Sequence, residues 1–277
     1  MKSAWKELLD IIPPGIRGEV DKLGRRTLQE IRLRLNQPVK LILADRTLSL
    51  GRYTEQQDLQ YIINAACKYS PWTVSTITQG FVTALGGHRV GLCGEVNIRD
   101  GQIYGIATVR SVNIRVARDF PGISGNLWLH NENILILGPP GSGKTTLIRD
   151  LIRQRSQKEN IAVVDERGEI FPFGAPFETG DNTDVLTGCC KNRGLNMVIR
   201  TMSPQCIAVD EITEAGDCEA LVKAGWCGIS LLATAHAASL LDFQTRPVYH
   251  QLVNTGLFET AVILKRDKSW HIERIGI

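Results

Sequence analysis

The sequence predicts an α/β domain built on a parallel sheet, preceded by a smaller α+β domain whose sheet is mostly antiparallel. Three observations carry this. Residues 133–149 read as a buried strand, a glycine-rich turn and an amphipathic helix in immediate succession. Downstream, further short apolar runs alternate with helical stretches and end in acids or a histidine. Upstream, residues 1–122 hold alternating strands and a hairpin turn instead.

In the first half, Trp5-Lys-Glu-Leu-Leu-Asp-Ile-Ile12 has helical spacing and Pro13-Pro14 stops it. Ile31-Arg-Leu-Arg-Leu35 alternates as a strand with one charged face, and residues 38–43 read as its hairpin partner. Residues 58–68 form a helix with Leu59, Ile62, Ile63 and Ala66 on one side, and a second helical stretch is expected over 71–85, ended by Gly86-Gly87. Residues 88–93 and 96–98 read as strand, Asp100-Gly101 as a hairpin turn and 103–107 as the return strand. Residues 111–117 alternate again, with Val112, Ile114 and Val116 on one face and Asn113 and Arg115 on the other. Arg32, Arg34, Arg89, Arg110, Arg115 and Arg118 are abundant for so small a domain. They form either a solvated face or a source of guanidinium groups for an anionic ligand at a domain or subunit boundary.

Residues 118–125 carry a proline and two glycines between two patterned regions, so the domains are expected to be 1–122 and 123–277. In the second half, residues 161–165, 206–211 and 229–234 are the later apolar runs. Helices are expected over 145–155, closing at 197–200, and over 221–226, with 171–182 a loop. This alternation puts ligand groups at the strand carboxyl ends, where Lys144, Asp165, Asp210 and His236 fall.

The chemistry follows from Gly138-Pro139-Pro140-Gly141-Ser142-Gly143-Lys144-Thr145-Thr146. Glycines let successive N–H groups curl around a phosphate, and the helix N-terminus adds partial positive charge. Lys144 can reach the β and γ phosphates of a nucleoside triphosphate, and the Thr145 hydroxyl can hold Mg²⁺. Asp210 at the end of its apolar run suits the metal, and Glu211 suits activation of the attacking water. His236, following Thr234 at a strand end, is placed to sense the γ-phosphate or to bridge to Glu211. Asp165, Glu166 and Glu169 would repel an anionic ligand unless a cation or an arginine intervenes, which makes Glu166 a metal candidate.

The bulk properties narrow the setting. Among 277 residues, 43% are apolar and 22% charged, as in an ordinary globular protein, and the formal net charge of +3 does not point to nucleic acid. No run approaches the roughly 20 apolar residues of a membrane span, and residues 1–10 carry charges early, without an apolar core of signal length. The expected address is cytoplasmic. Seven cysteines without a C-x-x-C pair read as reduced thiols, and the adjacent Cys189 and Cys190 are poorly spaced for zinc.

With these residues assembled, nearly the whole chain resembles the stage III sporulation protein AA family, a branch of the type II/type IV secretion ATPase superfamily. The resemblance rests on Glu30-Ile-Arg-Leu-Arg34, Ile77-Thr-Gln-Gly80, Gly86-Gly-His-Arg-Val-Gly-Leu92 and Ser111-Val-Asn-Ile-Arg-Val-Ala-Arg118. It continues through the phosphate loop with Thr145-Thr-Leu-Ile-Arg-Asp150, Val163-Val-Asp-Glu-Arg-Gly-Glu169, Thr183-Asp-Val-Leu186, Arg200-Thr-Met-Ser-Pro204, Val209-Asp-Glu211 and Thr234-Ala-His236. It implies a RecA-like P-loop ATPase using ATP and Mg²⁺. It further implies a ring, usually hexameric, on the cytoplasmic face of a membrane complex, on the mother-cell side in a spore former. Within it, residues 163–169 match the aspartate box, Asp210-Glu211 the Walker B acids and Ala235-His236 the histidine box. Arg89 and Arg115 match arginines that reach the nucleotide. The chain departs from the superfamily in having Asp210 where glycine usually precedes the glutamate, in Asp165-Glu166-Arg167 replacing Glu-Asp-Pro, and in lacking a tetracysteine module.

Three functions are consistent with this reading: a motor, an ATPase acting on nucleic acid, and a scaffold locked by nucleotide. The absence of a basic tail or of aromatics interleaved with basic clusters disfavours nucleic acid. Intact Lys144, Thr145 and Glu211 disfavour the scaffold. The expected partners are further copies of the chain and membrane-embedded subunits.

Overall fold

The computed structural model describes residues 1–68, 80–125, 127 and 132–276. By internal contacts the chain divides into two compact units, Met1–Asp119 with Pro172–Phe177, and Phe120–Phe171 with Glu178–Ile277.

The first unit is a six-stranded sheet with helices against one face. Its elements are α1 (Trp5–Ile11), α2 (Pro14–Leu23), β1 (Leu28–Arg34), β2 (Pro38–Leu43), β3 (Thr47–Tyr53), α3 (Gln56–Cys67), β4 (Phe81–Thr83), β5 (Arg89–Arg99) and β6 (Gln102–Arg115). The strand order is β3-β2-β1-β6-β5-β4 and each neighbouring pair is antiparallel. Period-two alternation decides the faces. Ile31, Leu33, Val90, Val112 and Ile114 point into a core that also takes Leu8, Ile16, Leu59 and Ile62 from the helices. The arginines at 32, 34, 89 and 115 alternate with these on the opposite face. Beyond Gly94, β5 and β6 continue as a two-stranded arm around the Asp100-Gly101 turn, carrying exposed Val96, Ile98, Ile103 and Tyr104.

Four elements depart from the sequence expectations. Pro14 begins α2 as well as following the stop of α1, because proline suits the first helical position, where its missing N–H costs nothing. The strand β3 was not expected, since its half-buried edge position leaves a weak pattern. Phe81–Thr83, expected as the end of a helix, is strand: Phe81 and Val82 are buried, and the segment pairs with Gly91, Val90 and Arg89. Residues 71–79 of that expected helix lie outside the described residues. In the second unit, Thr183–Thr187 is an edge strand just beyond the expected loop 171–182, where no strand was expected.

The second unit holds β7 (Ile134–Leu137), α4 (Lys144–Arg155), β8 (Ile161–Asp165), β9 (Thr183–Thr187), α5 (Lys191–Thr201), β10 (Cys206–Ile212), α6 (Ala215–Trp226), β11 (Ser230–Ala235), α7 (Leu240–Thr245), α8 (His250–Asn254), β12 (Thr260–Leu264) and β13 (Trp270–Arg274). The sheet order is β13-β12-β7-β11-β10-β8-β9, parallel except for the antiparallel edge strand β13. Its central strands are buried on both faces, which explains their continuous apolar runs. Gly194 lies mid-helix in α5 because a Cβ there would come within 2.5 Å of a Val164 methyl group, so its absence lets helix and sheet close up.

His88 ties the first unit together. Its Nδ1 accepts the Ala117 N–H at 3.1 Å, so the ring proton is on Nε2 and is donated to the Ala4 carbonyl at 2.8 Å. The ring is fully buried, and burial pulls its pKa below 6.5, against the opposing effects of the Ala4 carbonyl and Glu7. The unfolded chain therefore takes up this proton first as the pH falls. The stability His88 contributes is complete above about pH 6.5 and is lost as the pH drops towards its folded-state value. Urea unfolding should show the first unit weakening between pH 7 and 5, by up to about 1.4 kcal/mol per pH unit. His88→Gln should lower stability at pH 7 by roughly 1–3 kcal/mol and flatten that pH slope.

Candidate nucleotide-binding site

The site is built at the carboxyl ends of β7, β8, β10 and β11. After β7 the chain makes a tight loop that only glycine permits at its key points. A Cβ on Gly138 would meet Ser142 Oγ at 2.6 Å and the Leu264 carbonyl at 2.9 Å, while Gly141 and Gly143 hold φ of +76° and +103°. No side chain caps the start of α4. Its first-turn N–H groups, at Lys144, Thr145 and Thr146, therefore keep the donors that a helix N-terminus offers to an anion. Ser142 Oγ is buried and lacks a hydrogen-bond partner, and the same holds for Thr234 Oγ1 at the end of β11. These orphaned hydroxyls, the turn and the helix start suit a phosphate group.

Lys144 reaches back across the loop. Its ammonium donates to the Gly138 carbonyl at 2.8 Å, to the Pro139 carbonyl at 3.2 Å and to His236 Nδ1 at 2.9 Å. Burial lowers its pKa, while the charges of Glu211 and Asp210 oppose that shift. An ammonium has donors only, so Nδ1 of His236 is the acceptor and the ring proton sits on Nε2. That proton points at Glu211 Oε1, 2.7 Å away. Lys144, His236 and Glu211 thus form one continuous chain of hydrogen bonds, and the expected link from His236 to Glu211 is present.

The two acids of β10 are separated by a bulge. Val209 pairs with Ala233 and Glu211 with Thr234, leaving Asp210 as the extra residue. The bulge lets two consecutive acids leave the strand in directions that plain alternation would not allow. Asp210 is 8% exposed. Burial raises its pKa, as does the Glu211 charge, whereas the Glu211 N–H, Lys191 and Arg167 lower it.

The acids after β8 have distinct roles. Asp165 accepts the N–H groups of Glu169, Ile170 and Phe171 at 2.8, 2.9 and 2.9 Å, which shapes the turn. Burial nonetheless pushes its pKa up to about 7. Glu166 Oε2 accepts from the Lys191 ammonium at 2.7 Å, so any part in holding a metal falls to its other oxygen. Lys191, at the start of α5, supplies the cation here, where the sequence pointed to a metal or an arginine. It also lies 3.4 Å from Asp217 Oδ2, within the capping box of α6. Burial works against its charge, but Glu166 and Asp217 outweigh it and raise its pKa. A lone lysine 25 residues beyond Glu166 carries no local signal. Among the described residues, no group of three or more His, Cys, Asp or Glu is arranged to hold a metal. A magnesium site here would depend on Thr145, Asp210 and phosphate oxygens together.

Arg89 and Arg115 belong to the first unit. They face each other across β5 and β6, with Arg89 stacked over Phe81 at 3.9 Å and Arg115 Nε 3.9 Å from Glu30 Oε1.

Comparison with known proteins agrees with this architecture. The family model described as "Sporulation stage III, protein AA" matches residues 5–275. The stage III sporulation protein AA of Bacillus subtilis (strain 168) is 36% identical over 283 residues, covering 95% of this chain and 91% of that protein. Among solved structures, the pilus retraction motor PilT with bound ADP superposes with a TM-score of 0.62 at 17% identity, over 95% of this chain and 82% of that one. The Legionella pneumophila ATPase DotB does so with a TM-score of 0.58 at 17% identity, over 89% and 76%. These structural likenesses establish the RecA-like P-loop fold with its smaller N-terminal domain. From the family model and the Bacillus relative together, the chain belongs to the sporulation stage III protein AA family.

Proposed function

We propose that the protein binds and hydrolyses ATP. In this reading a ring of copies, most simply a hexamer, uses the turnover to power assembly of, or transport through, a membrane complex of sporulating cells. The observation that carries the reading is the chain Lys144–His236–Glu211 at the mouth of the phosphate loop. Two names among the similar proteins support it: DotB is called an ATPase and PilT a retraction motor with bound ADP. No helix among the described residues is long and apolar enough to cross a membrane. The reading puts the ring at the cytoplasmic face, on the mother-cell side, with membrane-embedded subunits as partners.

Each residue then has a task. The loop 138–146 and the start of α4 bind the phosphates, and Lys144 exchanges two carbonyls and a histidine for β and γ oxygens. Magnesium, when bound, neutralises charge on those oxygens; Thr145 and Asp210 would hold it. His236 occupies Oε1 of Glu211, which leaves Oε2 to take the proton of the attacking water. Release of Lys144 from His236 towards the γ-phosphate frees Nδ1, so His236 registers the presence of that phosphate. Lys191 offsets Glu166 and Asp217, keeping the acid-rich strand ends compatible with an anion. By family resemblance, Arg89 and Arg115 supply guanidinium groups to the nucleotide.

Three substitutions test this. Lys144→Ala should weaken ATP binding at least about 100-fold in a calorimetric titration; unchanged affinity would remove the phosphate loop from the reading. Glu211→Gln should bind ATP normally and lose about 10²–10⁴-fold in turnover. A variant with wild-type kcat would show that the base lies elsewhere. His236→Asn should lower kcat by up to about 10²-fold with little change in KM, because it misplaces Glu211 without removing a phosphate contact.

A further inference from the structure

We propose that one face of α4 is a coupling lever: Arg149, Asp150 and Arg153 tie each point at which the chain passes between the two units to the helix that holds the phosphates. This rests on the nucleotide reading above and goes beyond it by naming the residues that would carry nucleotide-dependent change outwards.

The chain passes between units at 119/120, 171/172 and 177/178. Just after the first passage, Asp150 accepts the Gly122 N–H at 2.8 Å, the Ser124 N–H at 2.9 Å and the Ser124 hydroxyl at 2.5 Å. Just before the second, Arg149 donates to the carbonyls of Glu169, at 2.9 Å, and Ile170. Asp165 holds the amides of the same segment, so 169–171 is gripped from both sides of its backbone. At the third, Arg153 Nε donates to the Glu178 carbonyl at 3.1 Å, and its Nη1 donates to Asp150 Oδ1 at 2.6 Å.

These three side chains stand at i, i+1 and i+4, on one side of the helix whose first turn carries Lys144 and Thr145. Asp150 is 1% exposed and Arg149 4%. Such buried, charge-assisted bonds are short and directional, and the three side chains share one unbroken twelve-residue helix with Lys144 and Thr145 of the phosphate loop. Packing alone does not call for this pattern, because apolar side chains could fill the same face. What the charged residues add is a fixed relation between α4 and three backbone segments. Movement of either unit must then be absorbed outside the gripped residues, at 119–121, 172 and 177, where Pro121 and Pro172 interrupt regular structure.

The test is amide hydrogen exchange on the full chain, with and without Mg²⁺ and a non-hydrolysable ATP analogue. In the wild type, peptides covering 138–146, 120–125 and 166–171 should all slow together, by about tenfold or more. Asp150→Asn should keep the responses at 138–146 and 166–171 and lose that at 120–125; Arg149→Gln should do the reverse. A purely structural role would not produce this crossed pattern. If Asp150→Asn does not fold, Ser124→Ala removes one of the same bonds and takes its place. The lever is overturned if nucleotide protects 138–146 while both passages stay unchanged, or if each variant abolishes both responses alike. An absence of protection at 138–146 in the wild type would overturn the nucleotide reading, and the lever with it.

Discussion

The second unit depends on one buried ammonium. Lys144 is 7% exposed, and a cation so placed must have its donors satisfied or it destabilises the fold. Two carbonyls of the phosphate loop and one ring nitrogen satisfy them here. That requirement draws the loop into its curl, selects one tautomer of His236 and, through it, orients Glu211. A single charge therefore organises residues drawn from three strand ends, β7, β10 and β11. In the proposed function the same partners, all neutral acceptors or reached through a neutral ring, would be given up for phosphate oxygens at modest cost.

Around this charge the strand ends carry more acid than an anion-binding site should tolerate. The structure resolves the conflict by giving each carboxylate its own partner. Asp165 spends its lone pairs on three backbone amides, Glu166 faces Lys191, and Glu211 faces His236. Asp210, displaced by the bulge, has only one backbone donor, Glu211 N–H, among the influences that lower its pKa.

How far the sequence could be read depended on how local the determinants are. The phosphate loop, the buried strands and the Asp100-Gly101 turn are written in contiguous residues, and each was legible. So was the link between His236 and Glu211, because both sit at predicted strand ends. The bulge at Asp210 was not: it is a mismatch between β10 and β11, and no single strand contains it. Lys191 was foreseen only as a missing charge, since its partners at 166 and 217 come together through the sheet. The strand at Phe81–Thr83 shows the same limit from the other side, with tertiary pairing to β5 overriding a local helical reading.

The arm formed by β5 and β6 leaves aliphatic and aromatic side chains in water, yet its pairing is interrupted by register shifts at 93/94, 95/96 and 97/98. Each shift leaves one extra residue on β6, at Arg110, Ala107 and Tyr104, which adds local twist and breaks the even spacing of backbone donors along that strand's edge. An incoming strand could match such an edge for only two or three residues before falling out of step. The irregularities keep the β6 edge of this long, apolar hairpin from templating the stacking of further chains.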